Sequence, residues 1–128
     1  MSESNPSSAA LGQDAEALAR SFLTAKGFRV IAANKRTAGG ELDLVAWDDG
    51  VLVFVEVKAR TSSSHGLPEE AVDQRKQERL IAAAGAFLAE LDGPQPVCRF
   101  DVVAVDLRPG GAEDQGVRHL IDAFRPGG

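Results

Sequence analysis

A chain of 128 residues with 44% hydrophobic and 26% charged content is large enough for one folded domain and too short for two ordinary ones. It has no apolar run near the roughly 18 residues of a membrane-spanning helix and no basic start followed by an apolar stretch, so we expect a cytoplasmic protein with no membrane partner. A single cysteine excludes an internal disulfide and a cysteine-only zinc site.

The net charge of −5 argues against broad nonspecific adhesion to nucleic acid, which depends on many Lys and Arg contacts to phosphate. The charge is unevenly placed, however. Residues 20–79 contain ten Lys or Arg and nine Asp or Glu, whereas the two flanks together contain four and ten. A divalent cation on the central carboxylates would therefore leave the middle of the chain positive.

The chain is predicted to begin with a tail and an amphipathic helix. Residues 1–10 show no periodicity and are expected to be disordered, which leaves 11–125 as a single domain. Residues 13–26 carry apolar side chains at helical spacing, and Gly27 ends that pattern. A first strand is predicted at 28–33, followed by a polar connection.

The next pattern predicts a β-hairpin. Two β-rich runs, 41–47 and 51–58, are joined by Asp48, Asp49 and Gly50. If Asp49 and Gly50 are the two loop residues of a type I′ turn, cross-strand partners have residue numbers that sum to 99. A three-residue loop with a bulge would shift this register.

The second half of the chain predicts one further helix and two strands. Pro68 can open the helix, whose apolar spacing continues to residue 91, with a break near Asp73 left open. Residues 97–105 are a predicted strand, and 117–124 a short last strand or turn. The order α-β-β-β-α-β-β predicts a three-layer α/β fold with a mixed central sheet and helices on both faces.

The hairpin register gathers charges at the end away from the turn. Asp43 would face Glu56, and Glu41 would face Lys58, with all four on one side of the sheet because side chains alternate with a period of two. Two carboxylates in directly opposite positions destabilise a sheet, and apolar neighbours strengthen their repulsion. A fold with no use for this pair is expected to avoid it. The opposite side is predicted to be apolar throughout: Leu42, Leu44, Ala46, Val51, Val53, Val55 and Val57.

A divalent cation would remove this repulsion. Mg²⁺ or Mn²⁺ takes carboxylate oxygens and keeps several waters for exchange, and Lys58 adds a cation suited to a phosphate oxygen or a metal-bound water. Together these groups have the parts of a phosphodiester hydrolase. The alternative is a solvated hairpin end in which Glu41 and Lys58 form an exposed ion pair.

Two segments of the hairpin resemble a known family. Gly-Glu-Leu-Asp-Leu-Val at 40–45 and Val-Phe-Val-Glu-Val-Lys-Ala-Arg at 53–60 are similar to motifs of the YraN family of small uncharacterised bacterial proteins. That family resembles the PD-(D/E)xK superfamily of restriction endonucleases and Holliday-junction resolvases. Leu42 stands where the superfamily motif has its proline. The resemblance extends to Gly12, Glu16, Asn34, Arg36, Lys76, Arg99, Phe100, Asp101, Ala123 and Phe124.

The resemblance implies a restriction-endonuclease-like fold and a metal-dependent endonuclease that acts on DNA, branched DNA included, or on structured RNA. Asp43 and Glu56 would be metal ligands, with the main-chain carbonyl of Val57 as a further ligand for Mg²⁺ or Mn²⁺. Lys58 would position or polarise the attacking water. Glu16 would be a supporting acid from the first helix.

Three basic residues are candidates for contacts to a nucleic-acid backbone. Arg36 and Arg60 flank the hairpin site, and Lys76 lies in the second long helix, where it fits a solvated helix face equally well. DNA is favoured over RNA as the partner. The oligomeric state is open, although homodimers are common among relatives that cut two strands.

Other interpretations remain open at this point. The fold can serve a nucleic-acid-binding module that does not cut, or a protein–protein adaptor. Glu16 fits an i to i+4 ion pair with Arg20, and Asp101 fits an ion pair with Arg99.

Overall fold

The order of elements follows the predicted α-β-β-β-α-β-β in the computed structural model, which describes residues 8–60, 72–107 and 116–126, with side chains from residue 14 onward. Two helices and five strands lie within these ranges. The helices are α1 (Ser8–Ala25) and α2 (Gln74–Ala89). The strands are β1 (Arg29–Thr37), β2 (Gly40–Asp48), β3 (Val51–Arg60), β4 (Cys98–Asp106) and β5 (Val117–Phe124).

The five strands form one mixed sheet in the order β1-β2-β3-β4-β5. Neighbours are antiparallel except β3 and β4, which are parallel because the crossover that contains α2 returns the chain to the same end of the sheet. α1 packs on one face of the sheet and α2 on the other. The predicted three-layer α/β fold is therefore confirmed.

Two apolar cores hold the three layers together. Full burial of a Val, Leu or Phe side chain contributes about 1.5–3 kcal/mol, and this burial stabilises both helices more than their intrinsic propensity does. The core under α1 contains Ala15, Ala19, Leu23, Phe28, Leu44, Ala46, Val53, Val55, Val103 and Val105. The core under α2 contains Leu42, Val45, Leu52, Phe54, Val72, Leu80, Ala83, Ala84, Phe87, Phe100 and Val102.

The turn between β2 and β3 has the predicted two-residue form. Asp49 and Gly50 both have positive φ, 49° and 84°, as a type I′ turn requires. The paired residues run from Asp48 with Val51 to Leu44 with Val55, and each pair sums to 99. The predicted register is confirmed over this range, and the alternative of a three-residue loop is wrong.

Several boundaries differ from the predicted ones. α1 begins at Ser8 and ends at Ala25, so it takes in the last three residues of the predicted tail, whereas 1–7 lie outside the described residues. β1 extends to Thr37 because pairing with β2 continues to the partners Thr37 and Gly40. The polar segment after residue 33 was expected to be a connection, but sheet pairing overrides its local polarity.

The second long helix has a well-defined start within the described residues. α2 begins at Gln74, and the Asp73 carboxylate accepts a hydrogen bond from the Lys76 N–H at 2.9 Å. Asp73 is thus the N-cap of α2, at the position where the sequence left a break open. The predicted helix opening at Pro68 lies outside the described residues. The last element, 117–124, is a strand and not a turn.

One face assignment in β2 is wrong. Leu44 packs in the core under α1, but Leu42 packs with Val45 in the core under α2. The alternation expected of a regular strand therefore breaks at Asp43.

Of the helices in the described part of the chain, none combines the length and apolar character needed to span a membrane.

Candidate functional site

The two strands that carry the predicted acids separate just before they reach them. β2 and β3 are paired as far as Leu44 and Val55; beyond that pair β2 continues beside β1, and β3 beside β4. In a regular hairpin the next hydrogen-bonded pair would join Leu42 and Val57. Instead, the Val57 N–H donates to Asp43 Oδ2 at 2.9 Å. The Asp43 carboxylate therefore lies in the gap where the strands part.

Glu56 brings the second carboxylate to the same place from β3. It is only 5% exposed, and a buried carboxylate requires charged or hydrogen-bonding partners. Two ammonium groups meet this need: Lys76 Nζ lies 2.8 Å from Glu56 Oε2, and Lys58 Nζ lies 4.0 Å from the same oxygen.

The environment of Asp43 disfavours its charged form. Burial raises the pKa of Asp43 to about 7, with repulsion from Glu56 as the next largest cause. The hydrogen bond from the Val57 N–H lowers the pKa in part, whereas a hydrogen bond with Glu56 and the charge of Glu16 raise it further. With a pKa of about 7, both the protonated and the ionised forms of the Asp43 carboxyl group are populated at neutral pH.

A pocket of about 270 Å³ opens beside the two acids. Because liquid water occupies about 30 Å³ per molecule, this volume has room for a small cation with several waters. The pocket is lined by Gly40, Glu41, Asp43, Glu56, Lys76, Arg79 and Leu80.

Glu16 reaches this region from α1. Its Oε1 accepts a hydrogen bond of 2.5 Å from Asn34 Nδ2, and Asn34 stands on β1 between the residues paired with Leu44 and Leu42, hence opposite Asp43. Burial raises the pKa of Glu16; the Asn34 hydrogen bond lowers it, Glu41 raises it, and Arg20 lowers it with the smallest effect.

The ion pairs at the rim differ from the predicted ones. The alternative of a solvated hairpin end had Glu41 paired with Lys58, but Glu41 pairs with Arg36 across β1 and β2 at 3.6 Å, while Lys58 approaches Glu56. The Arg36 side chain is 84% exposed, so this pair contributes little stability. That Glu41–Lys58 pair is wrong, because β2 and β3 are paired only as far as Leu44 and Val55 and have separated at Glu41 and Lys58.

The three basic residues predicted to contact nucleic acid occupy different places. Arg36 lies at the rim, Lys76 contacts Glu56 inside the pocket, and Arg60 ends β3, where its main-chain carbonyl accepts a hydrogen bond from the Leu107 N–H at 2.8 Å. Lys76 is therefore brought into direct contact with Glu56, and Arg36 with Glu41 at the pocket lining.

The donor set fits a hard divalent cation. Asp43 and Glu56 supply carboxylate oxygens, and Glu56 already attracts cationic groups. Across residues 8–60, 72–107 and 116–126 there is no cluster of three or more Asp, Glu, His or Cys residues suited to a metal ion. Two carboxylates are nevertheless the usual protein contribution to a Mg²⁺ site, in which waters fill the other positions. The Val57 carbonyl as a further ligand stays a prediction.

Sequence reasoning missed the contact that fixes α2 beside the hairpin. A Cβ atom on Gly39 would overlap the main-chain carbonyl of Ala82, so the turn between β1 and β2 touches the helix backbone directly. Gly40 follows with φ of +135°, a conformation that favours glycine. The adjacent glycines at 39 and 40 were the available sequence signal for this close approach.

A second buried polar cluster lies on the α1 side of the sheet. Asp101 is fully buried and accepts hydrogen bonds from Arg99 Nε at 2.9 Å, His119 Nε2 at 2.7 Å and the Asp122 N–H at 2.9 Å. Burial alone would raise the pKa of Asp101, but the hydrogen bonds together lower it. Arg99 also contacts Asp48 at 2.9 Å. The predicted ion pair of Asp101 with Arg99 is confirmed, and the cluster ties β4 to β5 and β2.

The fold and the site define a small three-layer α/β protein with two acids and a lysine on adjoining strands, an arrangement that resembles the PD-(D/E)xK proteins. A family model described as "Uncharacterised protein family UPF0102" matches residues 15–105. The chain belongs to this family, the YraN family that its motifs resemble. The matched range contains every candidate site residue named above.

Relatives in several bacteria carry the same family name. A UPF0102 protein of Symbiobacterium thermophilum is 52% identical over 101 residues, which cover 79% of this chain and 86% of the relative. A relative in Anaeromyxobacter dehalogenans is 46% identical over 122 residues, 92% of this chain and 89% of its own length. One in Chlorobaculum parvum is 44% identical over 117 residues, with 89% and 91% covered.

Proposed function

We propose that this protein is a metal-dependent endonuclease that hydrolyses phosphodiester bonds in DNA. The observation that carries the proposal is the convergence of Asp43 and Glu56 in one pocket at the split between β2 and β3, where burial and mutual repulsion raise the pKa of Asp43 to about 7. Such a pair destabilises the metal-free fold. Asp43 and Glu56 would hold a divalent cation between them, and its charge would remove this repulsion.

The residues of the site would divide the work as follows. Asp43 and Glu56, with the Val57 carbonyl, would hold Mg²⁺ or Mn²⁺. When bound, such an ion supplies a Lewis acid for the scissile phosphate and lowers the pKa of a coordinated water. Lys58 lies on β3, with its ammonium group 4.0 Å from Glu56 Oε2, and would orient a phosphate oxygen or the attacking water. Glu16 adds negative charge beside Asp43, which strengthens the attraction of the site for a cation.

The substrate class follows from the charges around the pocket. Arg36 on β1 and Arg60 at the end of β3 would contact the phosphate backbone. The acidic net charge of −5 favours local recognition over broad electrostatic adhesion. We propose DNA over RNA, with branched DNA of repair or recombination among the substrates, and action in the cytoplasm. A homodimer would allow both strands of a duplex to be cut.

A nuclease screen tests the proposal. Branched, flapped and single-stranded DNA and structured RNA are incubated with Mn²⁺ or Mg²⁺ and the wild-type protein, beside Asp43→Asn, Lys58→Ala and an EDTA control. Arg118→Ala, an exposed change on β5, is the matched control. We expect cleavage of DNA by wild type and Arg118→Ala only.

Other outcomes would redirect the interpretation. Nucleic-acid binding without cleavage or metal response would favour the binding module. Neither binding nor cleavage would favour the adaptor. Equal cleavage by wild type and Asp43→Asn would contradict the assigned site.

A further inference from the structure

Lys76 makes the shortest cationic contact with the paired acids. Its Nζ lies 2.8 Å from Glu56 Oε2, closer than the 4.0 Å of Lys58 Nζ to the same oxygen. The Lys76 side chain is 31% exposed, so its stem lies along the pocket wall while the ammonium group points inward. This geometry differs from the solvated helix face that the sequence also allowed.

The contact places the Lys76 ammonium group on the Glu56 oxygen that a divalent ion would need as a ligand. Glu56 is nearly fully buried, and its Oε2 atom lies within 4.0 Å of two ammonium groups, those of Lys58 and Lys76. A cation bridging Glu56 and Asp43 would come within a few ångströms of Lys76 Nζ, and like charges at that separation repel strongly in a poorly solvated pocket. The ammonium group and a bound metal would therefore compete for the Glu56 carboxylate.

The helix that carries Lys76 is held firmly. The Gly39 turn touches the main chain at Ala82, and Leu80 and Ala83 are buried against the sheet. Lys76 can therefore release Glu56 by a rotation of its own flexible side chain, without a movement of the helix. This rotation would carry the ammonium group from the pocket toward solvent.

We propose that Lys76 is the resident cation of the metal-free site: it neutralises Glu56 until a divalent ion replaces it, and the released ammonium group then binds a phosphate of the substrate. This inference rests on the proposed function, because it takes Glu56 as a metal ligand. Lys76 would act on the metal site through Glu56 and on the substrate directly, through its ammonium group. Since substrate phosphate draws Lys76 away from Glu56, metal and DNA strengthen each other's binding in the wild type.

Calorimetric titration with Mn²⁺ measures the competition. The proteins are metal-free wild type, Lys76→Met, Lys76→Arg and the matched control Arg79→Met, which removes a charge from an exposed residue of the same pocket and helix. The ion pairs described for Glu56 are with Lys58 and Lys76, so Arg79→Met leaves them intact. We expect Lys76→Met to bind Mn²⁺ about tenfold more tightly than wild type, and Arg79→Met and Lys76→Arg to stay within about threefold.

A second readout follows the lysine itself. In protein with ¹⁵N-labelled lysine, the Lys76 ammonium signal is assigned by its loss in Lys76→Met. Saturation with Mg²⁺ is expected to move this signal to the position of a solvated lysine. In addition, a DNA oligonucleotide should tighten Mn²⁺ binding to wild type and do so much less in Lys76→Met.

The outcomes separate this inference from the proposed function. Mn²⁺ binding with equal affinity in Lys76→Met and Arg79→Met, or an unchanged Lys76 signal at saturating Mg²⁺, would overturn the role of Lys76 and leave the metal site standing. No Mn²⁺ binding by any of the proteins would overturn both. Binding by Lys76→Met alone would overturn the exchange as well, because it would show that the metal does not displace Lys76 from the wild-type site.

Discussion

Asp43 owes its unusual pKa to its position between two strands that have parted. Its carboxylate accepts the Val57 N–H, which would otherwise be bonded across the hairpin. The sequence predicted that Asp43 and Glu56 would share one end of the hairpin, because turn residues fix the register. It could not predict the insertion into the strand gap, since that depends on β2 following β1 and β3 following β4.

The pKa of Asp43 predicts a pH dependence of stability. Its ordinary value is 3.8 and its folded value about 7, so between these values the folded state binds the proton more tightly than the unfolded state. The free energy of unfolding of metal-free wild type should therefore fall as pH rises through this window. Asp43→Asn lacks the titration, and its advantage over wild type should grow over the same range.

Urea denaturation in EDTA at several pH values between 4 and 8 measures this difference. Asp92→Asn, which changes an exposed acid in the connection after α2, is the control and should track wild type. A constant difference between wild type and Asp43→Asn across the range would show that Asp43 is not titrating abnormally.

Asp101 has the opposite electrostatic character. Its pKa is lowered, so its stabilising contribution is present above the ordinary value of 3.8 and is lost as pH falls through its folded value. Asp101→Asn removes the charge that holds Arg99 and His119, and we expect it to lower the free energy of unfolding by about 3 kcal/mol. Denaturation at pH 7 checks this value, and Mn²⁺ binding by the folded variant should be unchanged. A loss under 1 kcal/mol would contradict a structural role.

At the scale of elements, the contact between the Gly39 turn and α2 sets the distance between the hairpin acids and Lys76. The sequence predicted the hairpin and the helix separately, each from its own periodicity. It did not predict that they would touch through main-chain atoms, and so Lys76 could not be assigned to the pocket. The sequence also missed the switch of Leu42 to the α2 side. The predicted alternation assumed that β2 stays paired with β3, but that pairing ends at Leu44.

Gly39→Ala tests this contact. A Cβ at Gly39 would overlap the Ala82 carbonyl, and we expect the resulting displacement to lower the free energy of unfolding by about 2 kcal/mol or more. Gly85→Ala is the matched control: Gly85 lies in α2, and an added Cβ meets nothing within 4 Å, so it should stabilise the protein by about 0.5–1 kcal/mol. Thermal and urea denaturation of both variants and wild type measure these changes in the free energy of unfolding. Equal effects of the two substitutions would exclude a close approach at Gly39.

At the scale of the whole molecule, the order of elements and the layering were readable from periodicity and turn residues alone. The charge distribution was readable as well, but its consequence depends on the fold. The sequence placed Arg36 in a polar connection before the hairpin. In the sheet, Arg36 is paired with Glu41, which lines the pocket. An anionic chain that binds DNA must do so through a few such local cations.

Arg36→Ala tests whether the pocket rim contacts a backbone phosphate. We expect it to weaken DNA binding in Ca²⁺ or other non-cleaving conditions by about three- to tenfold and to reduce the slope of log affinity against log salt by about one. Arg118→Ala on the far edge strand should change neither quantity. Equal losses from the two substitutions would point to general electrostatics instead of a contact at the rim.

The response of stability to Mn²⁺ tests most directly whether Asp43 and Glu56 share a cation. Melting temperatures of wild type, Asp43→Asn and Asp92→Asn are recorded at pH 8 over a range of Mn²⁺ concentrations. The melting temperatures of wild type and Asp92→Asn should rise steadily with Mn²⁺, because a ligand bound only by the folded state stabilises it by mass action, and that of Asp43→Asn should not. A flat response in wild type, or an equal rise in Asp43→Asn, would contradict a shared cation.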